Sequence, residues 1–326
     1  GTKDNPEEKH VCLASGSLTL TRDRGYVPIE GIVVGDFVLT HRGRWRPVVA
    51  VQCNGVCQVV RLSAHGVPGI TLTPDHKLWL RKSNWVRERD GAEKTAPAWI
   101  PASESVGGYA NLRLPEIQAP SVTDPLVWWI VGRWLADGHW DSRRAIHISC
   151  GSHELAKLRE RLGSYAGFTH HPNVTTYQVR IRDRAGVIRG ILAKCGHGAD
   201  GKHMPPEAYS LPIEHASPLL DGYLSGDGHF LPERKRWMAS SVSRPLLLGV
   251  AMLAQRVYGA IASVYAGRPE RDMEIMGRKV SCFQDWVLSF DLPSERWKSP
   301  FVLNDGAWKK VRTVEPAGET EVWDIR

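Results

Sequence analysis

Ile130-Val131-Gly132-Arg133-Trp134-Leu135-Ala136-Asp137-Gly138 and Leu220-Asp221-Gly222-Tyr223-Leu224-Ser225-Gly226-Asp227-Gly228 align without a gap, ninety residues apart. Each places a small residue four positions after a glycine, Gly132 with Ala136 and Gly222 with Gly226, and each ends in Asp-Gly. Residues four apart share one face of a helix, so two such helices can approach backbone to backbone. The closing glycine of each is expected to supply a left-handed C-terminal turn. An aspartate at that end faces the negative pole of the helix dipole, at a cost of roughly 0.3–1 kcal/mol. Pairing the helices brings Asp137 and Asp227 to one edge of their contact, where a divalent cation is the simplest counter-charge. Such a site activates water and neutralises a pentavalent phosphate. One aspartate before a turn is ordinary; two at matched positions point to a shared site.

Outward from these segments the design repeats. Asp124-Pro125-Leu126 offers an N-cap with proline at the first helical position, and Ser217-Pro218-Leu219 predicts the start of the second helix. After each Asp-Gly comes a strand-like stretch and an amphipathic helix: Ala145–Cys150 with Ser152–Gly163, and Trp237–Ser241 with Ser243–Gly259. Two copies of one α/β unit are predicted. Gln178, Arg180, Arg182 and Arg184 alternate with Val179 and Ile181; in a strand they form a polar row suited to major-groove edges and phosphates, the bland alternative being a solvent-exposed face. Arg234-Lys235-Arg236, in the loop after Asp227, is the matching candidate from the second copy.

Both flanks have another texture. From Cys12 to about Val60, short apolar runs are broken by Gly25, Gly31, Gly35, Gly43 and Gly55; Thr71–Trp79 reads as one more strand, and Ala307–Val314 and Glu321–Arg326 return to the β pattern. Arg81–Lys94 is a basic excursion, and five prolines between 97 and 125 suit a connector. The 326 residues suffice for two or three domains, and 42% hydrophobic with 24% charged residues suits a soluble globular chain without a membrane span. No secretory leader is evident, so a cytoplasmic setting is expected. The six cysteines lack CxxC spacing, which argues against a zinc cage or disulfide framework and leaves any functional cysteine as a thiol. A formal charge of +7 points mildly to a polyanionic partner.

The paired segments resemble the signature of LAGLIDADG homing endonucleases, over roughly residues 116–295. That resemblance implies Mg²⁺-dependent double-strand cleavage of a long DNA site, with Asp137 and Asp227 as metal ligands, by a protein expected to be monomeric. Arg133, Trp134 and Tyr223 are bulkier than the family pattern. Lys202-His203-Met204-Pro205 is similar to the family's Lys-x-Ile-Pro, which makes Lys202 a charge-stabilising residue; its partner in the second half is assigned to Lys298, with Lys279 as runner-up.

Cys12 is followed by Leu13-Ala14-Ser15-Gly16, then Gly35-Asp36-Phe37-Val38-Leu39, then Thr73-Pro74-Asp75-His76, and near the end by Glu321-Val322-Trp323-Asp324-Ile325. This order resembles the Hint domain of inteins, interrupted by the endonuclease. Moving the Val11 acyl group from nitrogen to the Cys12 sulfur requires a thiol, an activated amide nitrogen and oxyanion stabilisation. The resemblance implies that His76 acts on the amide nitrogen, that Thr73 and backbone N–H groups hold the carbonyl oxygen, and that Asp324 relays a proton. The flanking extein sequences would be partners in cis. The family's closing His-Asn and following nucleophile do not occur before Arg326, so these residues cannot carry asparagine cyclisation.

The expected architecture is therefore residues 1–11 as an extein remnant or tag, an all-β, horseshoe-like Hint domain from 12–115 and 296–326, and an inserted endonuclease of two pseudo-symmetric αββα-type halves, about 116–205 and 206–295. Two rivals are a splicing element whose endonuclease only binds DNA, and an autoprocessing Hint domain of the sterol-attaching or toxin-releasing kind.

Overall fold

The computed structural model describes residues 11–64, 66–82, 96–169, 176–275, 278–293, 302–303 and 306–326. Residues 1–10, most of the basic excursion at 81–94, and Lys298 lie outside these. The chain divides into two compact units, residues 1–115 with 295–326, and residues 116–294. Helices and antiparallel sheets are mixed.

In the first unit, strands from the two ends of the chain meet. Val51–Ala64 runs antiparallel to Gly306–Ile325, in register from Ala64 opposite Val311 to Val51 opposite Ile325. Leu13–Ala14 lies against Trp323 and Val322 of the same long strand, and also pairs with Val67–Leu72. A separate four-stranded sheet uses Leu18–Thr21, Gly25–Pro28, Phe37–Leu39 and Trp45–Pro47. The predicted strand Thr71–Trp79 is two strands, Val67–Leu72 and Lys77–Arg81. Pro74 cannot donate to a ladder, and the break turns on the His76 N–H donating to the Thr73 carbonyl at 3.0 Å.

The second unit carries helices α1 (Pro125–Asp137), α2 (Leu155–Leu162), α3 (Val187–Leu192), α4 (Gly198–Gly201), α5 (Ile213–Asp227) and α6 (Arg244–Tyr258). Asp124 caps α1 by accepting the Leu126 N–H at 2.9 Å, and Ser243 caps α6 by accepting that of Leu246 at 3.3 Å. Two four-stranded sheets share one order. The first runs Gly138–Trp140, Ile146–Gly151, Thr176–Ile181, Ala166–Thr169; the second runs Gly228–Leu231, Arg236–Ser241, Trp286–Asp291, Ser263–Ala266. Each half is thus longer than an αββα unit, because two further strands after its second helix complete the sheet.

Two local expectations need correction. Helix α5 begins at Ile213, a turn before Ser217, and Pro218 lies inside it. The earlier start is held by tertiary contacts: His215 and Ala216 are buried, and the His215 ring lies 3.0 Å from the Thr123 carbonyl. Gly138 and Gly228 are extended, with φ of −89° and −81°, rather than left-handed. They are glycine for lack of room, since a Cβ would collide with Trp134 at the first and with the Leu224 carbonyl at the second.

Candidate functional site

The carboxylate centre is built by the crossing of α1 and α5. A Cβ on Gly132 would strike the Leu219 carbonyl, and one on Gly222 that of Trp129, so the helix backbones touch at these points. The contact continues to the helix ends, where a Cβ on Gly226 would stand 2.5 Å from Asp137 Oδ2. Asp137 and Asp227 are consequently neighbours, although neither helix alone accounts for their environment. Burial pushes Asp227 up to about 6, Asp137 adds to the rise, and Lys202, Tyr223 and Arg133 oppose it. Asp137 is also raised by burial, against Arg133 and Lys202 and with Glu154.

Lys202 is buried, not a solvated surface lysine. Its Nζ donates to the carbonyls of Trp134, Leu135, Ala136 and Gly138 at 3.0, 3.1, 3.5 and 2.8 Å. It closes the C-terminus of α1 with positive charge, complementing the dipole. Burial brings its pKa down to about 8 despite the pull of Asp227 and Asp137.

Sequence reasoning marked Arg133 and Tyr223 only as bulky departures from the pattern and passed over Glu154. Arg133, only 2% exposed, stands 3.0 Å from Asp137 Oδ2 and 3.0 Å from Glu154 Oε1, and also donates to the Ser225 carbonyl on the partner helix. Tyr223 occupies the equivalent place in the second copy and is buried beside Asp227, whose negative charge raises the already desolvated phenol further. The signal was present: a large polar residue four positions before each aspartate faces it on the helix.

The expected basic row is shorter than its sequence pattern. Gln178 and Arg180 lie in Thr176–Ile181, with Val179 and Ile181 buried between and after them; Arg182 continues the alternation, its N–H bonded to the Tyr165 carbonyl at 2.8 Å. Arg184 falls in the following bend, because the ladder has ended. Of the other trio, Arg234 closes a 3-10 turn, Lys235 is left-handed at φ +48°, and Arg236 enters Arg236–Ser241, ion-paired with Asp291 at 2.6 Å. Lys279 lies in Arg278–Cys282, across from Glu274.

The thiol centre belongs to the first unit. Cys12 is fully buried and immediately precedes the strand paired with Trp323 and Val322, which carries it to the level of Asp324. Its N–H, the nitrogen of the Val11–Cys12 bond, donates to Thr73 Oγ1 at 3.0 Å, and its carbonyl accepts the Thr73 N–H at 3.0 Å. Thr73 Oγ1 therefore holds the amide nitrogen of the Val11–Cys12 bond, brought there by the turn at Pro74. His76 is lowered by burial, while Asp324 and the backbones of Cys12 and Val11 draw it up. Asp324 is also ion-paired with Arg326 at 3.2 Å. Asn54, which sequence reasoning did not single out, donates from Nδ2 to Cys12 Sγ at 3.0 Å. All six cysteines are free.

No protein-family model matches the chain. It is similar to an ATP-dependent DNA helicase, Hel308, of Thermococcus kodakarensis, 22% identical over 94% of this chain and 34% of the helicase. It is also similar to an iron-sulfur cluster assembly SufBD family protein of Mycobacterium tuberculosis, 26% identical over 82% of this chain and 35% of that protein. The chain thus spans about a third of the length of these relatives. Similar solved structures include the homing endonuclease I-DmoI in complex with DNA and Mn, with TM-score 0.31 and 13% identity over 52% of this chain and 90% of that one. They also include a class 3 split intein, AceL NrdHF, with TM-score 0.25 and 15% identity over 35% of this chain and 69% of that one.

Proposed function

We propose that the chain is an intein carrying a LAGLIDADG homing endonuclease: a splicing unit of residues 12–115 and 296–326, and a DNA-cleaving unit of residues 116–295. The observation that carries this reading is the discontinuity of the first unit, whose pairing of Val51–Ala64 with Gly306–Ile325 spans the second unit in sequence. Similarity to about a third each of a helicase and a SufBD protein, whose named functions are unrelated, is what an element inserted into different hosts produces.

In the splicing unit, the Cys12 thiol attacks the Val11 carbonyl carbon; the C–N bond breaks, the thioester forms, and the amide nitrogen leaves as the Cys12 amine after taking a proton. Thr73 orients that nitrogen, and His76 and Asp324 are the proton-handling groups. The flanking exteins are the partners in cis, and completing the splice takes an asparagine and a following nucleophile. In the endonuclease unit, Asp137 and Asp227 offer hard oxygen donors whose mutual repulsion and burial a divalent cation would relieve, so the pair suits Mg²⁺. Bound there, Mg²⁺ would supply a nucleophilic water and stabilise phosphate charge. Lys202 holds the end of α1, and with it Asp137, in place; Lys298 is the proposed counterpart. Gln178, Arg180, Arg182, Arg184, Arg234, Lys235 and Arg236 are proposed as contacts to double-stranded DNA. The protein is proposed to act as a cytoplasmic monomer.

Two assays test this. A strong thiol should release residues 1–11 from the folded chain, and Cys12→Ala should stop the release. An intein-free copy of the host gene should be cut on both strands with Mg²⁺, and Asp137→Asn or Asp227→Asn should abolish the cut while binding survives. If both single variants cut at the wild-type rate, the endonuclease reading fails. One observation favours a second reading, in which the inserted unit binds DNA without cutting it: Arg133 already supplies Asp137 with a fixed positive partner. Specific binding with no nicking at any Mg²⁺ concentration is the outcome that selects it.

A further inference from the structure

We propose that Asn54 positions and activates the Cys12 sulfur, acting as the hydrogen-bond donor that stabilises its thiolate. This rests on the reading of Cys12 as the nucleophile of an acyl shift.

A buried thiol is a poor nucleophile, because the reactive thiolate is disfavoured away from water. Cys12 has this difficulty: it is fully buried, packed with Val59 and Val322, and burial raises its pKa. The groups facing it add to the problem, since Asp324, Cys57 and Cys53 all oppose a further negative charge. His76, the remaining titratable group beside this backbone, is itself lowered by burial and is poorly disposed to supply a compensating positive charge. The Asn54 amide, 3.0 Å from the sulfur, acts in the opposite direction.

The local backbone is arranged to place that amide. Asn54 lies in the strand Val51–Ala64 and is followed by Gly55 at φ +72°, a left-handed residue that bends the chain. The bend brings Cys57 back, so that its Sγ stands 3.8 Å from the Asn54 carbonyl while its side chain packs against the buried cluster of Cys12, Val59 and Val322. The Asn54 side chain is thus carried on the same bend that returns Cys57, with its amide donating to the sulfur. An uncharged donor fits the position because a lysine would require its own burial, and a carboxylate would repel the thiolate.

The test is the pH profile of Cys12 alkylation by iodoacetamide in the folded full chain, followed by mass spectrometry of the Cys12 peptide so that the other five thiols are resolved separately. Asn54→Ala should move the midpoint up by about one pH unit, a tenfold loss of thiolate at neutral pH. Asn54→Asp, which keeps the shape but removes the donor and adds a charge, should move it further. Thr73→Val, which disturbs the same backbone without touching the sulfur, should leave the midpoint in place. A midpoint unchanged in both Asn54 variants, or moved equally by Thr73→Val, overturns the proposal. Thiol-induced release of the N-terminal segment is measured in parallel. If the wild type releases nothing while the alkylation midpoint still follows Asn54, the acyl-shift reading fails and the role of Asn54 at the sulfur stands.

Discussion

Arg133 and Tyr223 stand at the same place in two copies of one helix, and only Arg133 gives its aspartate a fixed positive charge. The two carboxylates are therefore unequal despite the repeat. Asp137 is ion-paired with Arg133 at 3.0 Å, whereas Asp227 has a buried phenol beside it and the other aspartate nearby.

That inequality sets a pH dependence. The folded pKa of Asp227, about 6, exceeds the ordinary carboxylate value of about 4. The folded chain therefore binds the extra proton between these values, and stability should fall as pH rises from about 4 to about 6. Asp227→Asn removes the effect and should stabilise the metal-free protein at pH 7 by on the order of 2 kcal/mol. Urea titrations at pH 4, 5, 6 and 7 check this; a variant no more stable than wild type at pH 7 contradicts it.

Lys202→Met tests the other charge of the centre. Four carbonyls at the end of α1 lose their donor, which should cost on the order of 2 kcal/mol. The lysine also has its own signature: its folded pKa near 8 is below the ordinary value of about 10.4, so the unfolded chain holds the proton more tightly in between. Stability should rise with pH across that interval in the wild type, and less so in Lys202→Met. Equal slopes would assign the alkaline effect to other groups.

Gly132→Ala and Gly222→Ala place a methyl inside a carbonyl of the facing helix. Overpacking typically costs 1–3 kcal/mol, and contact with rigid backbone belongs at about the upper end of that range. Thermal unfolding of either variant should show the second unit melting earlier. Gly190→Ala, inside α3 where a Cβ meets nothing within 4 Å, is the control and should melt no earlier than the wild type, since alanine favours the helix.

Thr73→Val deprives the Cys12 N–H of its acceptor. Thiol-induced release of the N-terminal segment should slow at least about tenfold, the equivalent of one lost buried hydrogen bond. In the wild type, release should keep climbing above pH 9, since burial raises the Cys12 thiol beyond that ordinary value. A rate that levels off below pH 8 would falsify the buried-thiol account.

The repeat was legible in the sequence because it depends on small side chains at helical spacing, and Gly132, Gly222 and Gly226 are small for the reason their spacing suggested. The N-cap Asp124 was legible for a similarly local reason. The start of α5 was not, because Pro212 and Pro218 each offer a plausible opening and the choice falls to the buried contacts of His215. Asn54 and Glu154 were missed because each acquires its partner from a residue 42 or 21 positions away, beyond the reach of any periodicity. The glycines at 138 and 228 were misread as left-handed for the converse reason: the steric demand is real, but it comes from Trp134 and the Leu224 carbonyl rather than from a backbone angle.

The register of Ala64 with Val311 has a consequence for a chain still emerging from the ribosome. Residues 116–294 lie between the two strands that must pair, and at about 5–20 residues per second their synthesis takes roughly ten to forty seconds. During that interval Val51–Ala64 can pair with Val67–Leu72 on one edge only, and Asp324, opposite Gln52 in the finished ladder, does not yet exist. The Cys12 thiol is made early, and its surroundings are completed last. If the proposed acyl shift holds, the length of residues 116–294 sets the delay between making Cys12 and completing its surroundings, and shortening that segment should shorten the delay.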